Sequence, residues 1–178
     1  NALRQFVLQP EQKERLVWAA CGAGKTEVTF RAIAEALSRN QKVLFAIPRK
    51  DTVQEIVVRI RRAFPQVPVA CLHGTSKEKY SEACVVVATT HQVIRFYSAF
   101  DLVILDEIDA YPYSVSPMLE TCILRAKTRN GKIIFMSATP SAEMIARYRR
   151  KELACVWIPA RHHGYSLPEP KIVVDRRL

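Results

Sequence analysis

The feature that most constrains the fold is a glycine-containing segment, residues 19–27 (Ala-Ala-Cys-Gly-Ala-Gly-Lys-Thr-Glu), which lies between an apolar run and a segment with helical periodicity. A loop of this kind between a strand and a helix is a common way to bind phosphate. Gly22 and Gly24 lack a Cβ, so the backbone N–H groups can turn toward an oxyanion, and the N-terminal end of the next helix adds positive potential. Lys25 is expected to contact the β- and γ-phosphates, and the Thr26 hydroxyl to bind Mg²⁺. The predicted nucleotide-binding residues are Gly22, Ala23, Gly24, Lys25, Thr26 and Glu27.

This segment departs from the strict phosphate-loop pattern, which requires glycine where this chain has Ala19. It fits Ala-x-x-Gly-x-Gly-Lys-Thr instead. An ordinary strand-to-helix turn is the alternative, and a second motif is needed to decide.

That second motif is an acidic cluster at the end of an apolar run, residues 102–109 (Leu-Val-Ile-Leu-Asp-Glu-Ile-Asp). Asp106 is placed to hold Mg²⁺, and Glu107 to orient and deprotonate the water that attacks the γ-phosphate. Asp109 is expected to link this site to a neighbouring motif. A solvated acidic turn is the alternative for the segment alone. With a phosphate loop upstream, the catalytic interpretation is favoured.

Three further strand ends carry polar groups. Ser137 and Thr139 could hydrogen-bond the acidic cluster and couple it to the γ-phosphate, although hydroxyls after a strand are also common helix caps. The other two groups offer side chains suited to a nucleic-acid backbone, again with helix capping as the alternative. They are Pro48, Arg49 and Lys50, and Thr89, Thr90 and His91.

Apolar runs alternating with helical segments predict an α/β fold with a mostly parallel sheet and helices on both faces. Right-handed crossovers then place the motifs on one edge of the sheet. Residues 3–15 read as a lead-in in which Pro10 begins a helical turn. The predicted strands are residues 16–20, 42–47, 67–72, 84–88, 102–105, 132–136 and 154–158, and the predicted helices are residues 26–39, 51–64, 117–129 and 141–151.

Length and composition limit the remaining possibilities. The 178 residues suit one domain, predicted at 1–159, with 160–170 as a linker and 171–174 as a strand that begins a second domain. The net charge of +10 favours a polyanionic partner, or solubility alone. Five separated cysteines encode neither a disulfide framework nor a zinc site. No apolar run approaches the roughly 20 residues of a membrane span, so we expect a cytosolic protein.

The order of motifs resembles the first RecA-like domain of the superfamily 2 helicases and translocases, a P-loop fold related to the DEAD-box proteins. More narrowly, residues 21–27, 88–92, 95–97 and 106–113 are similar to the ComFA family of competence ATPases. The resemblance implies an ATPase that uses ATP and Mg²⁺ and helps to bring single-stranded DNA into naturally transformable bacteria. It implies a cytosolic protein, peripheral at the inner face of the membrane, which works with other competence and DNA-uptake proteins.

The resemblance also implies roles for matching residues. Lys25 and Thr26 match phosphate and Mg²⁺ ligands, Asp106 and Glu107 the catalytic carboxylates, Ser137 and Thr139 the coupling motif, and Arg49 and Thr90 positions that touch the DNA backbone. Relatives often have an adenine-reading glutamine ahead of the phosphate loop, for which Gln12 is the candidate.

The family also has a second RecA-like domain with an arginine finger, and a four-cysteine zinc module, neither of which we find in this sequence. This chain alone is therefore expected to turn over little ATP. Three other functions remain open: a duplex-unwinding helicase of the replication-restart or RNA type, a phosphate-loop NTPase of another class, and a nucleic-acid binding module with a degenerate ATP site.

Overall fold

A computed structural model describes residues 2–20, 22–74 and 82–159 of the chain. The elements follow the order α1 (Ala2–Leu8), β1 (Glu14–Ala19), α2 (Lys25–Ser38), β2 (Val43–Ile47), α3 (Lys50–Ala63), β3 (Val69–Leu72), β4 (Val85–Thr89), β5 (Phe100–Leu105), α4 (Pro117–Ala126), β6 (Lys127–Ser137), α5 (Ala142–Arg149) and β7 (Ala154–Ile158). Short 3₁₀ helices cover Thr90–Arg95 and Tyr113–Val115. None of the helices in these ranges is both long and apolar enough to span a bilayer.

The strands form one seven-stranded sheet in the order β3-β4-β2-β5-β6-β1-β7, and every pair is parallel. All five residues of β2 are buried, and they alternate between two apolar cores. Val43, Phe45 and Ile47 pack in the core beneath α1, α2 and α3, while Leu44 and Ala46 pack in the core on the α4 face. Burial on both faces explains the continuous apolar runs of the sequence. The predicted α/β fold, a parallel sheet covered on both faces, is confirmed.

The strand order decides which motifs become neighbours, because parallel strands place their C-terminal ends on one edge of the sheet. The acidic segment follows β5, and β5 lies between β2 and β6. The phosphate loop follows β1, which is the next strand beyond β6. Among the predicted motifs, the one after β4, on the far side of β2, is the most distant from the phosphate loop.

The lead-in differs from its prediction. Residues Ala2–Leu8 form α1, with Leu3, Phe6 and Val7 buried, and Pro10 follows the helix instead of starting one. The proline has no N–H to continue a helix. The expected helix end at residue 129 was also wrong, since β6 begins at Lys127. The predicted linker and the predicted strand at 171–174 lie outside the described residues.

A buried lysine fixes α1 to the sheet. Lys132, on β6, is 8% exposed, and its Nζ donates to the carbonyl oxygens of Phe6 at 2.7 Å and Gln12 at 2.9 Å, and to that of Gln9. The same Nζ lies 4.9 Å from the centroid of the Phe6 ring. Since carbonyls at the end of a helix have no helical partner, the ammonium group satisfies the C-terminal end of α1 and the turn after it.

Lys132→Met should therefore destabilise the domain although it keeps the apolar stem. We expect the free energy of unfolding to fall by about 2 to 4 kcal/mol, because one buried and two partly buried carbonyls lose a charged donor. Urea unfolding would measure it. Lys13→Met is the matched control, since Lys13 is exposed and makes one contact of 3.4 Å to Asn130. Equal stabilities for the two variants would contradict this account.

Candidate active site

The phosphate loop after β1 has the backbone that its glycines allow. Gly22 and Gly24 have φ values of 76° and 72°, in the left-handed region that favours glycine. The Ala23 N–H donates to the Ala20 carbonyl at 3.1 Å, which closes the turn. Gly24 precedes α2 as its N-cap, so Lys25 and the buried Thr26 occupy the first turn of that helix. The helix N-terminus and the lysine therefore supply positive potential at one place.

Glu27 differs from its neighbours in the loop. Its exposed carboxylate forms an ion pair with Arg59 of α3 at 3.0 Å. This contact turns Glu27 toward α3, and its predicted place among the nucleotide-binding residues stays a prediction.

Asp106, at the end of β5, carries a buried carboxyl group that is 6% exposed. Its Oδ1 accepts from the Glu107 N–H at 2.8 Å. Burial raises the pKa of Asp106 to about 6; the charges of Glu107 and Asp109 also raise this pKa, while the Lys25 ammonium and the hydrogen bond lower it. Lys25 is thus close enough to Asp106 to favour its ionised form. The phosphate loop and the acidic segment share one electrostatic site.

Asp109 connects the acidic segment to the end of β6. Its two carboxylate oxygens accept from the hydroxyls of Ser137 and Thr139, both at 2.7 Å. The Thr139 N–H in turn donates to the Ser137 Oγ at 2.8 Å. Burial alone would raise the pKa of Asp109, but the two hydroxyl hydrogen bonds and the Lys25 charge leave this pKa below its ordinary value. The three side chains form one hydrogen-bonded unit.

A cavity of 530 Å³ adjoins this unit. Asp109 and Thr139 contribute to its wall, together with side chains of α4 and α5 such as Glu120 and Arg147. Its lining includes neither Asp106 nor any of the described phosphate-loop residues 22–27.

Glu107 has an unusual backbone for a residue with a side chain, with φ at 50°. The Ala110 N–H donates to the Glu107 carbonyl at 2.9 Å, which stabilises this turn. The Glu107 Oε2 lies 3.5 Å from the Nε of Arg49, which is the N-cap residue of α3. The sequence motifs alone did not indicate this contact, because nothing in them reveals that β2 and β5 are adjacent.

The six residues predicted to bind DNA do not share one environment. The side chains of Pro48, Thr89 and Thr90 are buried, so direct contact of these three with a nucleic-acid backbone does not fit this structure. The Thr90 hydroxyl is buried and has no hydrogen-bond partner. The side chains that face solvent are those of Arg49, Lys50 and His91.

Gln12 does not lie near the phosphate loop. It precedes β1, whereas the loop follows the other end of that six-residue strand, roughly 20 Å away at about 3.3 Å per residue. Its Oε1 accepts from Arg15 at 2.5 Å. An adenine-reading role for Gln12 does not fit this placement, so that prediction is corrected.

The donor set suits a hard divalent cation. Asp106 offers a carboxylate and Thr26 a hydroxyl, and Mg²⁺ prefers oxygen ligands and commonly takes only one or two protein groups beside substrate phosphates. The described residues contain no cluster of three or more histidine, cysteine or acidic side chains that could hold a metal ion. An added positive charge would also offset the cost of ionising the buried Asp106.

Residues 2–147, which include both motifs and the α2 and α3 helices between them, match the DEAD/DEAH box helicase family. The chain belongs to this family. A helicase domain of this family implies ATP binding.

Among curated proteins, the chain is more similar to ComFA than to PriA. Over 163 residues the chain is 40% identical to the competence protein ComFA of Bacillus subtilis, covering 92% of this chain and 35% of that protein. It is 42% identical to ComFA of Streptococcus pneumoniae over 161 residues, covering 90% of this chain and 37% of that protein. The replication restart protein PriA of Rickettsia prowazekii is more distant at 25%, with 94% of this chain and 28% of that protein covered. The chain thus spans about a third of the length of the ComFA relatives.

Solved structures share the fold. A hypothetical ATP-dependent RNA helicase from Sulfolobus tokodaii superposes with a TM-score of 0.65 at 24% identity, covering 89% of this chain and 52% of that one. The RecA-like assignment is therefore confirmed for the fold of this DEAD/DEAH box domain.

The raised pKa of Asp106 predicts a stability that depends on pH. The folded pKa of about 6 exceeds the ordinary 3.8, so the folded state holds the proton more tightly, and this stabilisation is lost as the pH rises through about 6. Without nucleotide or Mg²⁺, Asp106→Asn should raise the free energy of unfolding by about 2 to 3 kcal/mol at pH 8 and much less at pH 4. Urea unfolding at both pH values measures this. The same difference at both would contradict the assignment.

Proposed function

We propose that this chain is the ATP-binding half of an ATP-dependent single-stranded DNA translocase that takes part in DNA uptake during natural transformation. The observation that carries the proposal is that the charge of Lys25, in the phosphate loop, lowers the pKa of Asp106, in the acidic segment, within a domain 40% identical to ComFA. The hydrogen-bonded unit of Asp109, Ser137 and Thr139 supports a motor, because a simple nucleotide-binding protein needs no such link between strand ends.

In this proposal each group at the site has one task. Lys25 and the N–H groups at the start of α2 bind the β- and γ-phosphates, and Thr26 and Asp106 hold Mg²⁺. Mg²⁺ supplies neutralisation of the phosphate charge when it is bound. Glu107 orients the attacking water and accepts its proton, as a carboxylate adjacent to the site can. The charge of Lys25 lowers the pKa of Asp106, and bound Mg²⁺ would lower this pKa further. Asp106 would therefore be ionised when Mg²⁺ is bound.

Coupling is assigned to the hydroxyl–carboxylate unit. Asp109 lies three residues from Asp106, and it is joined by two hydrogen bonds of 2.7 Å to the segment that follows β6. A change in the acidic segment when the γ-phosphate leaves would therefore be transmitted to residues 137–139 and to α5. This is a discrete contact that can form or break, as coupling requires.

The remainder of the proposed motor lies beyond the described residues. The domain covers residues 1–159, and residues 160–178 lead into a second RecA-like domain with an arginine finger. Nucleotide would bind between the two domains, and hydrolysis would open and close the cleft. Single-stranded DNA would cross both domains, reaching this one at Arg49, Lys50 and His91, the three predicted DNA-binding residues that are exposed. The protein would work in the cytoplasm at the inner face of the membrane with other DNA-uptake proteins.

The catalytic assignment predicts a separation of binding from hydrolysis. In the full-length protein, Glu107→Gln should lower ATP turnover by about 10² to 10⁴, the usual worth of a general base, and leave ATP binding intact. Lys25→Ala should abolish ATP binding. Rates with and without oligo(dT), together with binding of a fluorescent ATP analogue, measure both effects.

Glu152→Gln is the matched control, since Glu152 is an exposed glutamate paired with Arg150. It should hydrolyse ATP like the wild type. If Glu107→Gln were equally active, or if oligo(dT) failed to stimulate the wild-type enzyme, the proposed function would be wrong. Unwinding of a duplex by the full-length protein would favour a helicase of the PriA type over a translocase.

The coupling assignment predicts that removing the two hydroxyls slows movement along DNA more than it slows ATP hydrolysis. Ser137→Ala combined with Thr139→Ala should lower the rate of movement along single-stranded DNA about tenfold or more, the effect of losing hydrogen bonds to a charged group, while ATP turnover changes much less. Displacement of streptavidin from biotinylated DNA measures movement. A parallel loss of both rates would assign these hydroxyls to the chemistry instead.

A further inference from the structure

Glu107, the proposed general base, is held by a residue on the side of the sheet where DNA is expected. Its Oε2 lies 3.5 Å from the Arg49 Nε, which is an ion pair without the geometry of a hydrogen bond. That oxygen is buried and has no hydrogen-bond partner among the described residues. The Glu107 carboxylate is thus directed toward Arg49, with which it makes only a weak ion pair.

The backbone accounts for this orientation. The left-handed φ of 50° at Glu107 interrupts the extended path of β5. Asp106, just before the turn, stays buried beside Lys25. Because β2 is the neighbour of β5 on the other side from β6, a side chain directed that way meets the N-terminus of α3, where Arg49 is the capping residue.

Arg49 can leave this contact at little cost. Its side chain is 68% exposed, whereas that of Glu107 is 32% exposed. Guanidinium groups bind phosphate oxygens in paired, charge-assisted hydrogen bonds, which are shorter and stronger than a single 3.5 Å ion pair. A DNA phosphate at the start of α3 would therefore compete successfully for Arg49.

We propose that Arg49 is a positioning residue that keeps Glu107 away from the attacking water until a DNA phosphate takes the arginine. This rests on the proposed function, since it assumes that Glu107 is the general base. The two states are Arg49 on Glu107 without DNA, and Arg49 on phosphate with Glu107 released. Binding of the polyanion thereby becomes a signal at the hydrolytic site through a single side chain.

The test uses the full-length protein and compares ATP turnover without DNA and at saturating oligo(dT). Arg49→Ala should raise the DNA-free rate two- to fivefold, about 0.4 to 1 kcal/mol at 1.4 kcal/mol per tenfold, because an exposed ion pair is worth no more than this. The stimulation by oligo(dT) should fall by the same factor. Arg49→Lys keeps a cation beside Glu107 and should retain a low DNA-free rate.

Two comparisons separate positioning from a structural effect. In a Glu107→Gln background, Arg49→Ala should produce no rise, since the effect acts through that carboxylate. Arg39→Ala is the matched control: Arg39 pairs with Glu35 at 3.0 Å at the far end of α2, and its loss should leave the DNA-free rate unchanged.

An unchanged or lower DNA-free rate in Arg49→Ala would overturn the inference. That outcome, with Glu107→Gln inactive and oligo(dT) still stimulating the wild type, leaves the proposed function standing. An active Glu107→Gln enzyme would instead remove the proposed function, and this inference with it.

Discussion

The buried carboxyl group of Asp106 is the constraint on which the rest of the site depends. A carboxylate that is 6% exposed at the end of a largely buried strand is costly to ionise, and burial raises its pKa to about 6. The cost falls only when positive charge lies nearby. The Lys25 ammonium provides part of that charge, and a divalent cation would provide more. The charge of Asp106 is only partly balanced when no cation is bound, so binding a cation stabilises the domain. The burial that makes Asp106 costly to ionise therefore also favours cation binding.

Strand order converts this local condition into a site. The phosphate loop follows β1 and the acidic segment follows β5, and these two strands are not adjacent because β6 lies between them. The end of β6 therefore has to carry groups that tolerate both neighbours. Ser137 and Thr139 do so as small hydroxyl side chains that donate to Asp109. A longer or charged side chain at these positions would either block the site or add to its electrostatic cost.

Much of this could be predicted from the sequence, and the failures have physical causes. Continuous apolar runs such as that of β2 predicted buried parallel strands. The lysine motif and the aspartate motif each supported the interpretation of the other as part of a nucleotide-binding site. Sequence could not give the order of the strands, so the meeting of Arg49 with Glu107 was missed. The family resemblance suggested Gln12 as the adenine-reading residue, but a strand carries its two ends to opposite edges of the sheet and places Gln12 away from the phosphate loop. Burial of Thr89 and Thr90 was missed because hydroxyls that look suited to DNA can equally pack at the end of a strand or the start of a 3₁₀ helix.

The left-handed turn at Glu107 explains how one short acidic segment can serve two directions. Glu107 is directed toward β2 and the N-terminus of α3, whereas Asp109 is directed toward β6 and its hydroxyls. The carboxylates are two residues apart, yet they contact residues at or just beyond the ends of β2 and β6, the strands on opposite sides of β5. An extended backbone would send both side chains to the same face of the sheet, since alternate residues of a strand share a face. In the proposed motor, the turn would therefore allow DNA and the γ-phosphate to act on two different carboxylates of one short segment.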